Sequence, residues 1–106
     1  MSGEKLVRDK IPEIIAETGA TPIYHTAVGD DIRVSAVNKV LEESQEVASA
    51  NNRTDVVAEL ADLQEAIMHL QNIEGITFDE VESARVKKIE QRGGFDLNII
   101  LDKVEE

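Results

Sequence analysis

Two long stretches of helical periodicity, separated by the short polar segment 51–53, constrain the fold of this chain more than any other feature. Apolar residues fall along one helical stripe from Ile32 to Ala48 and along a second from Val57 to Ile73. This spacing is typical of one side of an amphipathic helix. Because helices joined by so short a turn run antiparallel, the sequence predicts an all-α fold, a helical bundle built on a long antiparallel helix hairpin.

Capping residues and helix breakers set the predicted bounds of the helices. We expect a short helix over about 10–18 and a longer one over about 32–50. The second helix of the hairpin should begin at a cap on Thr54 or Asp55 and end near Gly75. A capping box of Thr77 and Glu80 should open a further helix over about 78–91, which ends at Gly93-Gly94.

Two segments outside the helices, 22–28 and 95–101, have β-branched or weakly alternating character. They leave open a small β pairing beside the bundle. The chain has 106 residues and no internal repeat or linker, so we expect a single domain over 1–106. A domain this small buries a modest core, and its apolar stripes would remain partly exposed in a monomer. The sequence therefore predicts a homo-oligomer.

Composition excludes several classes of protein. The formal net charge of −11 opposes nonspecific binding to DNA or RNA. The absence of cysteine excludes disulfides and Cys-ligated metal sites. No long apolar run suggests a signal peptide or a membrane span, so we expect a cytoplasmic protein without a membrane partner.

Five acidic residues fall at helical spacing on the two helices of the hairpin. Glu43 and Glu46 are three positions apart on the first helix, as are Glu59 and Asp62 on the second, so each pair shares a helix face. Glu42 neighbours Glu46 at the four-residue spacing. In an antiparallel hairpin the two pairs lie at matching distances from the turn, and four carboxylates converge if their faces meet.

Converging carboxylates repel one another unless a cation joins them. Mg²⁺ prefers such oxygen ligands and leaves room in its shell for water and phosphate oxygens. The pattern therefore indicates a metal site, although an acidic protein also places such residues on solvated helix faces. Basic residues near both ends could bind an anion beside the metal, or could simply favour helix termini. The two histidines form no ligand pair and are interpreted as structural.

The acidic pattern Glu-Glu-x-x-Glu at 42–46, followed after twelve residues by Glu-x-x-Asp at 59–62, resembles the all-α NTP pyrophosphohydrolase superfamily. That superfamily includes MazG-like proteins, dimeric dUTPases and phosphoribosyl-ATP pyrophosphohydrolases. The opening segment 5–15 and the closing Lys-x-x-x-Arg-Gly-Gly-Phe at 88–95 are similar to a MazG-like branch often labelled phosphoribosyl-ATP pyrophosphohydrolase-like. The similarity extends over nearly the whole chain.

The resemblance implies Mg²⁺-dependent hydrolysis of a nucleoside triphosphate to the monophosphate and pyrophosphate by a homodimer or homotetramer, with Mn²⁺ as a possible substitute. Such an enzyme could remove noncanonical nucleotides. The implied metal ligands are Glu43, Glu46, Glu59 and Asp62, and Glu42 would orient water or neighbouring groups. The implied phosphate-binding residues are Lys88 and Arg92, with Arg8 and Lys10 as further candidates.

Two departures from the family pattern leave the base preference open. Arg85 stands where many relatives have Asn, and few aromatic residues are present to stack on a base. Within the enzyme class, the alternative substrate is phosphoribosyl-ATP, from histidine biosynthesis. A non-enzymatic helical interaction module, in which the acids only solubilise the chain, is the alternative outside the enzyme class.

Overall fold

The computed structural model describes residues 4–106, in which four α-helices follow one another. They are α1 (Ile11–Glu17), α2 (Asp31–Ser49), α3 (Arg53–Ile73) and α4 (Phe78–Arg92). The described residues contain no β-strand, which confirms the all-α prediction. The chain divides into two compact units, Met1–Gly75 and Ile76–Glu106, and each is described by itself below.

The predicted antiparallel hairpin is formed by α2 and α3, which pack along each other. An ion pair between Arg33 Nε and Glu74 Oε1 (2.6 Å) joins the start of α2 to the end of α3. The small side chains of Ala36 and Ala66 are buried and allow the two helices to approach closely. The hairpin therefore brings residues at equal distances from the turn to the same level.

The N-cap of α3 is Asn52, so the predicted cap at Thr54 or Asp55 is wrong. The Asn52 side-chain oxygen accepts a hydrogen bond from the backbone N–H of Asp55 (2.9 Å). Its amide nitrogen donates to the Asp55 carboxylate, also at 2.9 Å. Asn is as good a cap as Asp and better than Thr, and capping at Asn52 lets Asp55 favour the positive end of the helix dipole.

The predicted capping box at the start of α4 is confirmed. The backbone N–H of Glu80 donates to the Thr77 hydroxyl (3.1 Å), and the backbone N–H of Thr77 donates to the Glu80 carboxylate (2.8 Å). Gly93 ends the helix with a φ of +81°, a conformation that glycine adopts without strain. Local sequence is therefore sufficient to fix both ends of α4.

Neither segment 22–28 nor segment 95–101 forms a strand within the described residues, so the β pairing is wrong. Ile23 is 97% exposed and Phe95 is 94% exposed. Pro22 cannot donate a backbone hydrogen bond, and an isolated pair of strands buries too little apolar surface to be stable. Weak alternation of apolar residues was insufficient evidence for a strand.

None of the helices within residues 4–106 is long and apolar enough to span a lipid bilayer.

Candidate metal centre

Three acidic side chains from α2 and α3 converge at one level of the hairpin. Glu43 on α2, together with Glu59 and Asp62 on α3, places three carboxylate oxygens within 4.8 Å of one another. We call these three residues the acidic triad. Glu43 is only 6% exposed, and the two α3 residues are half-buried. The sequence-based expectation that these helix faces converge is confirmed for three of the four predicted ligands.

The acidic triad fits a hard divalent cation by its chemistry and its dimensions. Carboxylate oxygens are the ligands that Mg²⁺ prefers, and no Cys or His belongs to the group. Ligands about 2.1 Å from one Mg²⁺ ion lie roughly 3–4 Å from one another. Because the three oxygens already lie within 4.8 Å, small side-chain rotations would suffice to bring them to that separation. The triad could therefore hold a metal ion.

Glu46, the fourth predicted ligand, lies outside this group and is exposed. It nevertheless acts on the acidic triad through its charge. Burial raises the pKa of Glu59, and the negative charges of Glu46, Asp62 and Glu43 raise it further. The structure thus places Glu46 beside the triad rather than among its converging oxygens.

Two basic side chains of the same unit form ion pairs with members of the acidic triad. Arg8 Nη2 donates to Asp62 Oδ1 at 2.7 Å. Lys39 Nζ lies 3.0 Å from Glu43 Oε1 and 3.4 Å from Glu42 Oε1. The third member of the triad, Glu59, has no such ion pair within the part of the chain that the structure describes. Repulsion among the three acids is therefore only partly offset.

The pKa values of the two cations reflect these contacts. The hydrogen bond with Asp62 raises the pKa of the Arg8 guanidinium. Burial lowers the pKa of Lys39, but its hydrogen bonds and charge interactions with Glu43 and Glu42 outweigh that effect and leave the pKa raised. Both cations thus stay fully charged beside the triad at neutral pH.

Lys39 was missed by sequence reasoning, although a signal was present. It precedes Glu42 by three positions and Glu43 by four, the spacing at which opposite charges meet on a helix. Lys5 adds a longer contact to Glu42, at 3.7 Å. Glu42 therefore joins two basic side chains and lies at the edge of the site.

Three predicted site residues remain to be described: Lys10, Lys88 and Arg92. Lys10 precedes α1, is exposed, and has no ion pair among the described residues. Lys88 and Arg92 lie in the last two turns of α4, in the second unit, and are exposed. A shallow open depression on α4 contains none of the predicted site residues and is lined by Glu82, Ser83, Val86, Lys87 and Glu90.

The chain matches no protein-family model, no curated protein and no solved structure. Membership of the NTP pyrophosphohydrolase superfamily therefore stays a prediction from the sequence motifs. The case for a function rests on the geometry of the acidic triad together with those motifs.

Proposed function

We propose that this protein is a Mg²⁺-dependent nucleoside triphosphate pyrophosphohydrolase whose metal is held by the acidic triad. The observation that carries the proposal is the convergence of Glu43, Glu59 and Asp62 from two facing helices onto one point. Surface acids on a solvated helix have no reason to meet a second acidic pair at close range, since like charges repel. Their convergence is favourable in an enzyme that needs a divalent cation beside a polyphosphate.

In the proposed reaction water adds to the α-phosphorus of the nucleotide, and the bond between that phosphorus and the bridging oxygen breaks. The nucleoside monophosphate and pyrophosphate leave. The bound metal would polarise the phosphate and lower the pKa of the attacking water. The side chains of the protein fix the geometry: Lys39 holds the buried carboxylate of Glu43 in place, and Glu59 offers a carboxylate that forms no ion pair with the described residues.

The finer assignments follow the resemblance. Glu46 would complete the ligand set or orient water, and Glu42 would support Glu43 through their shared contact with Lys39. Basic residues would bind the phosphates; the candidates are Arg8, Lys10, Lys88 and Arg92. If these residues bind phosphate, Lys88→Ala or Arg92→Ala should weaken turnover. Lys103→Ala, in the C-terminal tail, should not.

We also propose that the active form is a homodimer or homotetramer. Among the described residues, Ala36 and Ala66 are the only buried apolar side chains. Leu41 on α2 is 57% exposed and Ile67 on α3 is 40% exposed. A hairpin of two helices with so thin a core needs a further apolar layer, which a second copy would supply.

The decisive experiment measures pyrophosphate and nucleoside monophosphate released from a panel of NTPs, dNTPs and phosphoribosyl-ATP, with and without Mg²⁺. Equal amounts of the two products, formed only with the metal, are expected for at least one substrate. Asp62→Asn should abolish this turnover, whereas Asp102→Asn, an exposed acid in the C-terminal tail, should leave it unchanged. If no substrate is hydrolysed in the presence of Mg²⁺ or Mn²⁺, the interaction module becomes the better interpretation.

A further inference from the structure

The Arg8–Asp62 ion pair connects two parts of the first unit that are 54 positions apart in the sequence. Arg8 belongs to the non-helical segment before α1, and its side chain is 58% exposed. Asp62 belongs to the acidic triad. A cationic side chain therefore binds the carboxylate that the proposed metal would also need.

The two cations of the site differ in how easily they can leave it. Lys39 lies on α2 one turn before Glu43, and its side chain is only 19% exposed. Its Nζ lies 3.0 Å from Glu43 Oε1, and its half-enclosed stem leaves it little room to move away. Arg8 has no helix to hold it, and water surrounds more than half of its side chain. Arg8 is therefore the cation that an incoming ion can displace.

We propose that Arg8 is a built-in competitor of the metal ion, which holds Asp62 in the metal-free protein and is released from it when the metal binds. The inference rests on the proposed function, because it requires the acidic triad to bind a divalent cation. A guanidinium and a divalent ion in contact with one carboxylate repel each other, so each weakens the binding of the other. Two charges on the ion against one on Arg8 favour the metal.

The exchange would link metal binding to nucleotide binding. Once released, the Arg8 guanidinium presents its planar fork of N–H donors beside the metal site. This fork matches a phosphate group and can bind it through two parallel hydrogen bonds. Arg8 would then bind the nucleotide only when the metal is already present. The metal would therefore bind before the phosphate contact of Arg8 forms.

The first test is a titration of the full chain with Mn²⁺ alone, without nucleotide, in which the EPR signal of free Mn²⁺ gives the dissociation constant. Arg8→Gln is expected to bind Mn²⁺ about two- to fivefold more tightly, the range for loss of one exposed ion pair. Arg8→Lys, which keeps the charge and loses the fork, should lie between it and the wild type. Arg33→Gln is the matched control, since Arg33 pairs with Glu74 at the other end of the hairpin and should change nothing.

The second test follows the guanidinium signals of the wild-type protein by NMR while Mg²⁺ is added. The Arg8 signals should move or sharpen as that side chain becomes free, and the Arg33 signals should stay constant. Unchanged Mn²⁺ affinity in Arg8→Gln, or Arg8 signals that do not change at saturating Mg²⁺, would overturn the proposed competition between Arg8 and the metal but not the proposed function. Absence of metal binding in both the wild type and Arg8→Gln would instead overturn the proposed function and this inference together.

Discussion

The hairpin of α2 and α3 and the segment 76–106 both carry charged residues three positions apart, yet the consequences differ. Glu59 and Asp62 on α3 have the same sign, whereas Glu82 and Arg85 on α4 have opposite signs and neutralise each other. The α3 pair faces a third acid and takes its cation from a residue 54 positions away. Like charges at helical spacing thus need a partner from elsewhere in the fold, and a site for an external cation can arise where they meet.

The largest expected difference between the two regions is in metal binding. Mg²⁺ at about 100 times its dissociation constant should stabilise the wild type by roughly 2.7 kcal/mol, because it binds only the folded state. Glu59→Gln should lose most of this stabilisation, since it removes the one triad carboxylate without an ion pair among residues 4–106. Thermal unfolding with and without Mg²⁺ measures the effect.

Glu82→Gln is the matched control, because it makes the same chemical change on α4. It should retain the full stabilisation by Mg²⁺. Equal loss in the two variants would mean that Mg²⁺ binds to the general negative charge of the chain, and the distinction between the hairpin and the second unit would then fail.

The second prediction concerns assembly through the exposed apolar side of the hairpin. The wild type should have at least twice the mass of one 11.7 kDa chain in solution. Leu41→Glu should yield single chains, because a buried carboxylate without a partner opposes association. Light scattering after size-exclusion chromatography gives both masses.

Leu97→Glu makes the same change at an exposed leucine of the second unit and should leave the mass unchanged. If Leu97→Glu dissociates the oligomer and Leu41→Glu does not, the interface lies in the second unit. A wild-type mass of one chain at micromolar concentration would contradict the predicted assembly altogether.

The sequence was sufficient to predict the hairpin and all three members of the acidic triad. Apolar spacing determines which sides of α2 and α3 meet, and equal distances from the turn then pair Glu43 with Asp62. By the same spacing, Glu46 was predicted to be a fourth ligand. Residue spacing cannot predict a shift of a few ångströms in the position of a carboxylate. Glu46 lies near the end of α2, and its side chain is exposed to water.

Contacts that depend on the tertiary path of the chain were not predictable. Nothing in the sequence indicates that Arg8, before α1, reaches Asp62 on α3. The resemblance proposed Arg8 for phosphate binding but gave no carboxylate partner. By contrast, the capping box of Thr77 and Glu80 was predicted correctly, because its hydrogen bonds involve only neighbouring residues.

The third prediction concerns Glu46, whose substitution should have an intermediate effect on metal binding. Glu46→Gln should weaken Mn²⁺ binding, but less than Glu59→Gln does, since Glu46 acts on the triad mainly through its charge. Without metal, Glu46→Gln should be as stable as the wild type or slightly more stable, because the substitution removes one repulsion between carboxylates. Mn²⁺ titration and urea unfolding of the two variants measure these effects, and a Glu46→Gln affinity as low as that of Glu59→Gln would make Glu46 a direct ligand.

The smallest expected effect is the pH dependence of the Glu82–Arg85 pair on α4. The hydrogen bond from Arg85 is the largest influence on Glu82 and lowers its pKa below the ordinary value of 4.5. A carboxyl whose pKa is lower in the folded state stabilises that state above its unfolded pKa, and the contribution disappears as the pH falls through the folded value. Arg85→Gln should therefore be less stable than the wild type near neutral pH, with the difference vanishing in acid. Urea unfolding of both proteins between about pH 3 and pH 7, a range that spans the ordinary carboxyl pKa, measures this difference in stability. Lys87→Gln, which removes a charge from the same helix and breaks no ion pair of the described part of the chain, is the control and should not reproduce this acid-dependent difference. A difference that persists unchanged at low pH would show that Arg85 stabilises α4 by packing rather than by pairing with Glu82.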